Sequence, residues 1–239
     1  MHQPHADISI LYHDDAIAIV DKPSCLLSVP GRGEHKQDCV IARVRARFPN
    51  ATGPMMVHRL DFETSGIIAV ALTPDAQRHL SRQFEERHVD KAYVALLDGV
   101  LPPTHDSGEV RMKIRVDWDN RPRQMVCETH GRDSLTRYRV LAREPAPHMP
   151  NSQPSPTPTR TRVEFTPITG RSHQLRVHAA FPQSVGGLAM PILGDPLYGD
   201  GAATHSPHSP PRLCLHATYL AITHPTTNTR MEFGSPEPF

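Results

Sequence analysis

Apolar residues in this chain arrive in short runs of five or six, each followed by turn formers, and that rhythm restricts the fold to one built mainly from strands. Ile8–Tyr12 and Ala16–Val20 flank His13-Asp14-Asp15, which predicts a strand, an acidic turn and a second strand. Ile67–Leu72 reads as a buried strand, and Ala92–Leu97 as another that ends at Asp98-Gly99. Val110, Met112, Ile114 and Val116 alternate strictly with Arg111, Lys113 and Arg115, the period of a half-buried strand with a basic outer face. Leu135–Leu141, Val163–Ile168 and Leu213–Ala217 add further strands.

Two helices interrupt this pattern. Asp38 is expected to cap one in which Val40, Ile41, Val44 and Phe48 share a face before Pro49 stops it, with Arg43 and Arg47 on the other face. Thr73 as N-cap and Pro74 at the first helical position open the second, where Ala76, Leu80 and Phe84 recur every four residues. Strands outnumber helices and do not alternate regularly with them, so the expected class is α+β with a mixed, largely antiparallel sheet. The 239 residues suit one large or two small domains. Strand signals of similar character lie on both sides of a proline-rich stretch at about 145–160, holding Pro145, Pro147, Pro150, Pro154, Pro156 and Pro158. It reads as a flexible hairpin insertion in a single domain, 1–239, because proline cannot extend a sheet ladder. His205–Pro211 reads as a second loop, with His205 and His208 solvated.

Composition excludes several classes. No apolar run approaches the roughly 18 residues that span a bilayer, and the N-terminal residues lack a basic start followed by an apolar segment. No membrane association and a cytoplasmic location are therefore expected. Cys25, Cys39, Cys127 and Cys214 are widely spaced with no Cys-x-x-Cys pair, which argues for reduced, structural thiols rather than a zinc ribbon or a disulfide scaffold. The formal charge of +1 provides no global basic field, so a polyanion would have to meet a local patch. Only Lys22, Lys36, Lys91 and Lys113 are lysines, leaving 22 of the 26 basic residues as arginine, a side chain suited to phosphate forks and to stacking on bases.

Two polar clusters stand out. His58-Arg59-Leu60-Asp61-Phe62-Glu63-Thr64-Ser65-Gly66 lies directly before a buried strand, where loops commonly hold catalytic groups, although Asp61 could equally pair with Arg59 and Thr64-Ser65-Gly66 could be only a turn. In Gly170-Arg171-Ser172-His173-Gln174-Leu175-Arg176-Val177-His178, Ser172 is placed to cap a helix bearing Arg176. Such a start suits an anion, while the plainer alternative is an amphipathic helix with solvated arginine and histidine. His173 and His178 are five apart and would not share a helix face, so no metal site is read there. Neither Gly-x-Ser-x-Gly nor Gly-x-x-x-x-Gly-Lys occurs.

Taken in order, His58-Arg59-Leu60-Asp61 with Thr64-Ser65-Gly66, Lys91-Ala92-Tyr93, Gly170–Arg176, Ile192-Leu193-Gly194-Asp195 and Leu213–Ala217 resemble the motifs of the RluA-type pseudouridine synthases. The resemblance runs from about Ile10 to about Phe233. Asp21-Lys22-Pro23, Pro30-Gly31-Arg32 and Asn120-Arg121-Pro122 place it in the short branch without an N-terminal S4 RNA-binding domain, for which this length leaves no residues.

The resemblance implies the pseudouridine synthase fold around a central RNA-binding cleft, and isomerisation of uridine to pseudouridine without cofactor or metal. The implied partner is structured RNA, a 23S rRNA hairpin and/or a tRNA anticodon stem-loop, met by a monomer. Carried over by motif position, Asp61 is the catalytic carboxylate, Arg176 the arginine that pairs with it and lowers its pKa, and Tyr93 the tyrosine beside the uracil. Sugar attack, ring attack and a glycal-like route all remain open for Asp61. Leu215 is the implied apolar wall under the base. Arg59 matches the side chain that fills the stack when the uridine leaves it. His58, Arg171 and His173 are placed among the RNA contacts. Arg111, Lys113, Arg115, Arg121 and Arg123 offer a stripe for phosphates, or else an edge strand protected by charge. Two other classes compete with the isomerase: a non-catalytic RNA-binding or RNA-folding module, and a hydrolase with Asp61 as nucleophile.

Overall fold

The computed structural model describes residues 7–145, 157–199 and 212–239. In chain order the elements are β1 Ser9–His13, β2 Ile17–Lys22, α1 Val40–Arg47, β3 Ser65–Ala71, α2 Pro74–Glu85, β4 Asp90–Leu97, β5 Ser107–Val116 and β6 Gln124–Val126. They continue with β7 Arg132–Glu144, β8 Arg160–Pro167, α3 Gln174–Ala180, β9 Leu215–Thr223 and β10 Arg230–Gly234. The class is α+β with a mixed sheet, as the spacing of apolar runs predicts. Packing divides the chain into two compact units, 1–92 with 216–239, and 93–215.

In the first unit the strand order is β1-β2-β3-β9, with β10 beside β9. The expected hairpin forms: β1 and β2 pair antiparallel, and β2 continues antiparallel onto β3. The join of β3 to β9 is parallel, Ser65 opposite His216 and Gly66 opposite Ala217. Every residue of β3 is buried, which is why its sequence is continuously apolar rather than alternating. Ile17, Ile19, Ile67, Ala69, Leu80, Leu220 and Ile222 form the core, with Phe84 and Phe233 packed against it. Helix α2 starts as predicted, the Thr73 hydroxyl accepting the Ala76 N–H at 3.2 Å and Pro74 following.

Helix α1 departs from expectation at its start. Cys39, not Asp38, is the N-cap, its Sγ accepting the Ala42 N–H at 3.4 Å. Cys39 is bridged to Leu27, and the Val40 N–H donates to the Leu27 carbonyl, so the chain is still held extended at 39 and the helix begins one residue later. The exposed Asp38 instead accepts a fork from Arg43 at 2.8 and 2.7 Å.

In the second unit the order is β4-β8-β7-β5-β6, every pair antiparallel. Strands β7 and β8 form the hairpin anticipated on either side of the proline-rich stretch, of which 146–156 lie outside the described residues, as do His205 and His208. On β5, Val110, Met112 and Ile114 are buried while Arg111 is exposed, as the alternation requires. β7 flanks this strand on one side, and on the other the three-residue β6 pairs with its Ile114–Val116 end alone.

The segment around α3 corrects two expectations. Its N-cap is His173 in the left-handed conformation (φ 53°), and Ser172 makes no cap. Gln174, the first helical residue, instead ties down the preceding loop: its Oε1 accepts the Arg171 N–H at 3.0 Å and the Thr169 hydroxyl at 2.7 Å. Nor is α3 a solvated amphipathic helix. Packed against β5 and β7, it buries nearly all of its seven residues, Arg176 and His178 included. Among the described residues no helix is long and apolar enough to cross a membrane.

Candidate active site

The backbone of the loop from His58 to Gly66 is fastened to its own unit at several successive points. The Nε2 of His58 accepts the Ala69 N–H of β3 at 2.9 Å, and its ring stacks on Phe84 with centroids 4.2 Å apart. Burial, reinforced by the Lys91 charge, pushes the His58 pKa down to about 3, so the ring is neutral and Nε2 stays an acceptor. That nitrogen therefore serves β3. Ser28, itself buried, donates to the Leu60 carbonyl at 2.7 Å and accepts the Leu60 N–H at 3.2 Å. Past Asp61, the fully buried Lys22 ammonium donates to the carbonyls of Phe62 (3.2 Å), Pro23 (3.0 Å) and Leu26 (2.8 Å), and the Ser24 hydroxyl donates to Glu63 O at 2.6 Å.

Asp61 is thus half-buried between a doubly tethered Leu60 and tethered carbonyls at 62 and 63, while Arg59 is exposed. Tethering of backbone on both sides fixes where the carboxylate emerges. The loop ends where β3 meets β9 so closely that only glycine fits: Gly66 has φ +111°, and a Cβ there would lie 2.3 Å from the Ala217 carbonyl oxygen. Beside it a polar chain runs from the Ser65 hydroxyl to His216 Nδ1 (2.7 Å), from His216 Nε2 to the Ser235 hydroxyl (3.1 Å), and from Ser235 to Asp21 (2.6 Å). It satisfies the buried hydroxyls and anchors the first residue of β3, Ser65.

In the second unit the dominant group is Arg176, with no exposed surface. Its Nε and Nη2 form a fork on Asp195 at 2.8 and 2.6 Å, and the Asp195 Oδ1 also accepts the N–H groups of Leu197 and Tyr198 at 2.9 and 3.1 Å. A guanidinium and a carboxylate stripped of water persist only when paired this completely. The Tyr198 ring lies 5.4 Å from the Arg176 guanidinium carbon and 5.5 Å from that of Arg123. Its hydroxyl accepts the Gln124 N–H at 2.7 Å and sits 2.9 Å from His173 Nδ1, with the histidine ring edge-on. One tyrosine therefore gathers Arg176, His173 and Arg123, three of the residues singled out from the sequence.

The remaining candidates are more dispersed. Tyr93 is half-buried on β4, opposite the buried Phe165 of β8, and Leu215 is buried at the start of β9. Arg171 donates through Nε to the Asp133 carbonyl at 3.1 Å. Along the basic stripe, Arg111 pairs with Glu109 at 2.5 Å and Lys113 reaches the Glu128 carbonyl at 3.3 Å. Arg115 is partly buried, with an Nε that has no hydrogen-bond partner among the described residues, and Arg121 lies over the Trp118 ring.

Sequence reasoning gave no role to Asp195, Tyr198, Lys22, Ser24 or Ser28. A signal for the first existed. In Gly194-Asp195-Pro196-Leu197-Tyr198-Gly199, an aspartate in a glycine-bounded turn is the residue that accepts the N–H two positions on.

Residues 16–181 match the family model for RNA pseudouridylate synthase, and the chain belongs to that family. It is 44% identical over 230 residues to the dual-specificity RNA pseudouridine synthase RluA of Escherichia coli (strain K12), covering 96% of this chain and 93% of that one. The corresponding protein of Pasteurella multocida (strain Pm70) is 42% identical over 232 residues, 97% of this chain and 94% of that one. Among solved structures, human RNA Pseudouridylate Synthase Domain Containing 1 matches with a TM-score of 0.74 at 30% identity, covering 100% of this chain and 87% of that one.

Proposed function

We propose that this chain isomerises uridine to pseudouridine in structured RNA, at a 23S rRNA hairpin and/or a tRNA anticodon stem-loop. In this reading it acts in the cytoplasm as a monomer, needs no metal or cofactor, and uses its two units as one catalytic domain with Asp61 as the catalytic carboxylate. The observation that carries the reading is the tethered loop: Leu60, Phe62 and Glu63 are held by Ser28, Lys22 and Ser24, so Asp61 is presented at a fixed point. The dual-specificity name of the 44% identical relative supports action on more than one RNA.

The chemistry breaks the N1–C1′ bond, forms the C5–C1′ bond, removes the C5 proton and leaves one on N1, so mass is conserved. An ionised carboxylate serves each of the sugar, ring and glycal routes. Arg176 is assigned, from its motif position, as the cation that pairs with Asp61; its fork with Asp195 fixes the guanidinium plane. Tyr93 is assigned to stack on the uracil and to assist removal of the C5 proton, with Leu215 as the apolar wall. Arg59, exposed on the tethered loop, is assigned to fill the stack vacated by the flipped uridine, while Arg171, His173 and the basic stripe meet the RNA backbone.

Carbodiimide labelling with primer extension maps pseudouridine on tRNA and 23S rRNA from cells lacking the gene. Wild-type protein restores a stop, and Asp61→Asn restores none, a loss of at least about a thousandfold in turnover, with RNA affinity retained. Conversion by Asp61→Asn would overturn the assignment. Absence of conversion by the wild type would favour the RNA-binding module, and release of free base would favour a hydrolase.

A further inference from the structure

The chain contains one tryptophan, and it is not in the core. Trp118 is 62% exposed, the most exposed large hydrophobic side chain among the described residues, the others lying between 37% and 41%. Isolated exposed apolar residues are ordinary, but tryptophan is usually buried over most of its large surface, and leaving it in water forgoes a substantial hydrophobic gain. Its position is nevertheless well defined. Trp118 lies in the turn joining β5 to β6, closed by Asp117 N–H to Arg123 O at 3.0 Å and Arg123 N–H to Asn120 O at 3.0 Å. Asn120 donates to both carboxylate oxygens of Asp117, one of the two aspartates flanking Trp118 in sequence, at 3.3 and 3.0 Å. The base of the turn is anchored inward where Gln124 N–H reaches the Tyr198 hydroxyl.

Arg121 supplies the remaining constraint, its guanidinium carbon 3.8 Å from the centroid of the Trp118 ring. With a cation over one face, the exposed area belongs to the other. Such an arrangement orders the indole, keeps it wet and places positive charge beside it. A rigid aromatic face next to arginine is a platform for an unpaired base, which offers a bare π-face, whereas bases within a helix are already covered by their neighbours.

We infer that Trp118 is a specificity-determining contact of the RNA substrate, stacking on an unpaired nucleotide of the stem-loop that carries the target uridine while Arg121 holds the indole from behind. The inference rests on the RNA-modifying reading above and adds a recognition point outside its reacting groups.

The single tryptophan makes the test direct. Titration of the protein with unmodified total tRNA or 23S rRNA, then with the stem-loop that the wild type converts, should quench the Trp118 emission saturably. The same strands closed into a continuous duplex should leave it unchanged. Steady-state turnover on that stem-loop should show KM raised roughly tenfold in Trp118→Ala, with kcat within about twofold of wild type. Trp118→Phe should keep most of the affinity. Thermal melting should be unchanged in both variants, because the side chain contributes no core packing. An unchanged KM in Trp118→Ala, or emission indifferent to every RNA, would overturn the inference while wild-type conversion of uridine left the enzymatic reading standing. If the wild type converted nothing, quenching by total RNA would still decide whether the platform binds unpaired bases.

Discussion

The loop around Asp61 and the turn around Trp118 are both short and polar, and each presents one side chain at a defined point, but they are secured by opposite means. The Asp61 loop is held from beneath by the buried donors Lys22 and Ser28 and the half-buried Ser24, acting on its carbonyls. Beyond the inward anchor of its base at Gln124, the Trp118 turn is held by its own local hydrogen bonds and by an exposed stacked arginine. A group that must meet a reacting atom within a fraction of an ångström gains from a scaffold that solvent cannot loosen. A group that receives a mobile partner needs only to be presented, and exposed contacts suffice. The same division separates Arg176, fully buried on Asp195, from Arg111, exposed on Glu109.

The sharpest way to break this comparison is to remove one acid from each pair. Asp195→Asn leaves the buried Arg176 without its counter-charge, and urea unfolding should report a loss of about 3–5 kcal/mol. Glu109→Gln removes the exposed partner of Arg111 and Arg137 and should cost less than about 1 kcal/mol in the same measurement. Similar losses in the two variants would mean that burial does not distinguish these arginines energetically.

Acid provides a second separation of interior from surface. His178 is fully buried, donates through Nε2 to the Ser134 hydroxyl at 2.8 Å, and burial pushes its pKa down to about 4 from the ordinary 6.5. His58 is pushed to about 3. Both rings are neutral in the folded chain and take up protons below about pH 6.5 once unfolded. The unfolded state therefore binds more protons in that window, and stability falls as pH drops from about 6.5 toward about 4 for His178 and about 3 for His58. Between near-neutral pH and about pH 5 each contributes up to about 2 kcal/mol of that loss, His58 less because it is only half-buried. Urea unfolding at the two pH values should show a shallower fall in His178→Asn by about this amount. An identical fall would show that His178 titrates normally in the folded protein.

How much of this was legible in the sequence depends on whether the determining contact is local. Thr73-Pro74 announced α2 because a cap is chemistry within three residues, and the alternation of Val110 to Val116 announced β5 because burial of one face imposes a period of two. Asp38 looked like the better cap than Cys39, and lost because pairing with Leu27 kept the chain extended for one residue more. Ser172 failed because the chain turns through His173 in the left-handed conformation and the helix starts one residue later, which sequence spacing does not reveal. Lys22 carried no legible role because its partner at Phe62 is a carbonyl 40 residues away, and a backbone acceptor leaves no trace in residue type. Arg176 was visible as an arginine on a helix, but its burial and its partner 19 residues on were not.

The smallest expected effect tests the tether itself. Ser28 serves both polar groups of Leu60 with one hydroxyl, and both are buried, so Ser28→Ala leaves a donor and an acceptor unmet, worth about 1–2 kcal/mol in urea unfolding. A purely structural tether would show that loss and no more, with turnover at saturating RNA equal to wild type at temperatures where the variant is folded. If the tether sets the position of Asp61, kcat falls while KM for RNA holds, because the surface that meets the RNA is untouched and only the placement of the carboxylate has loosened. Ser28→Thr, which restores the hydroxyl, should recover kcat to the extent that its extra methyl is accommodated in the buried site. Equal kcat in wild type and Ser28→Ala would reduce the buried scaffold to a stabilising device, and the contrast with the exposed Trp118 turn would become one of stability alone.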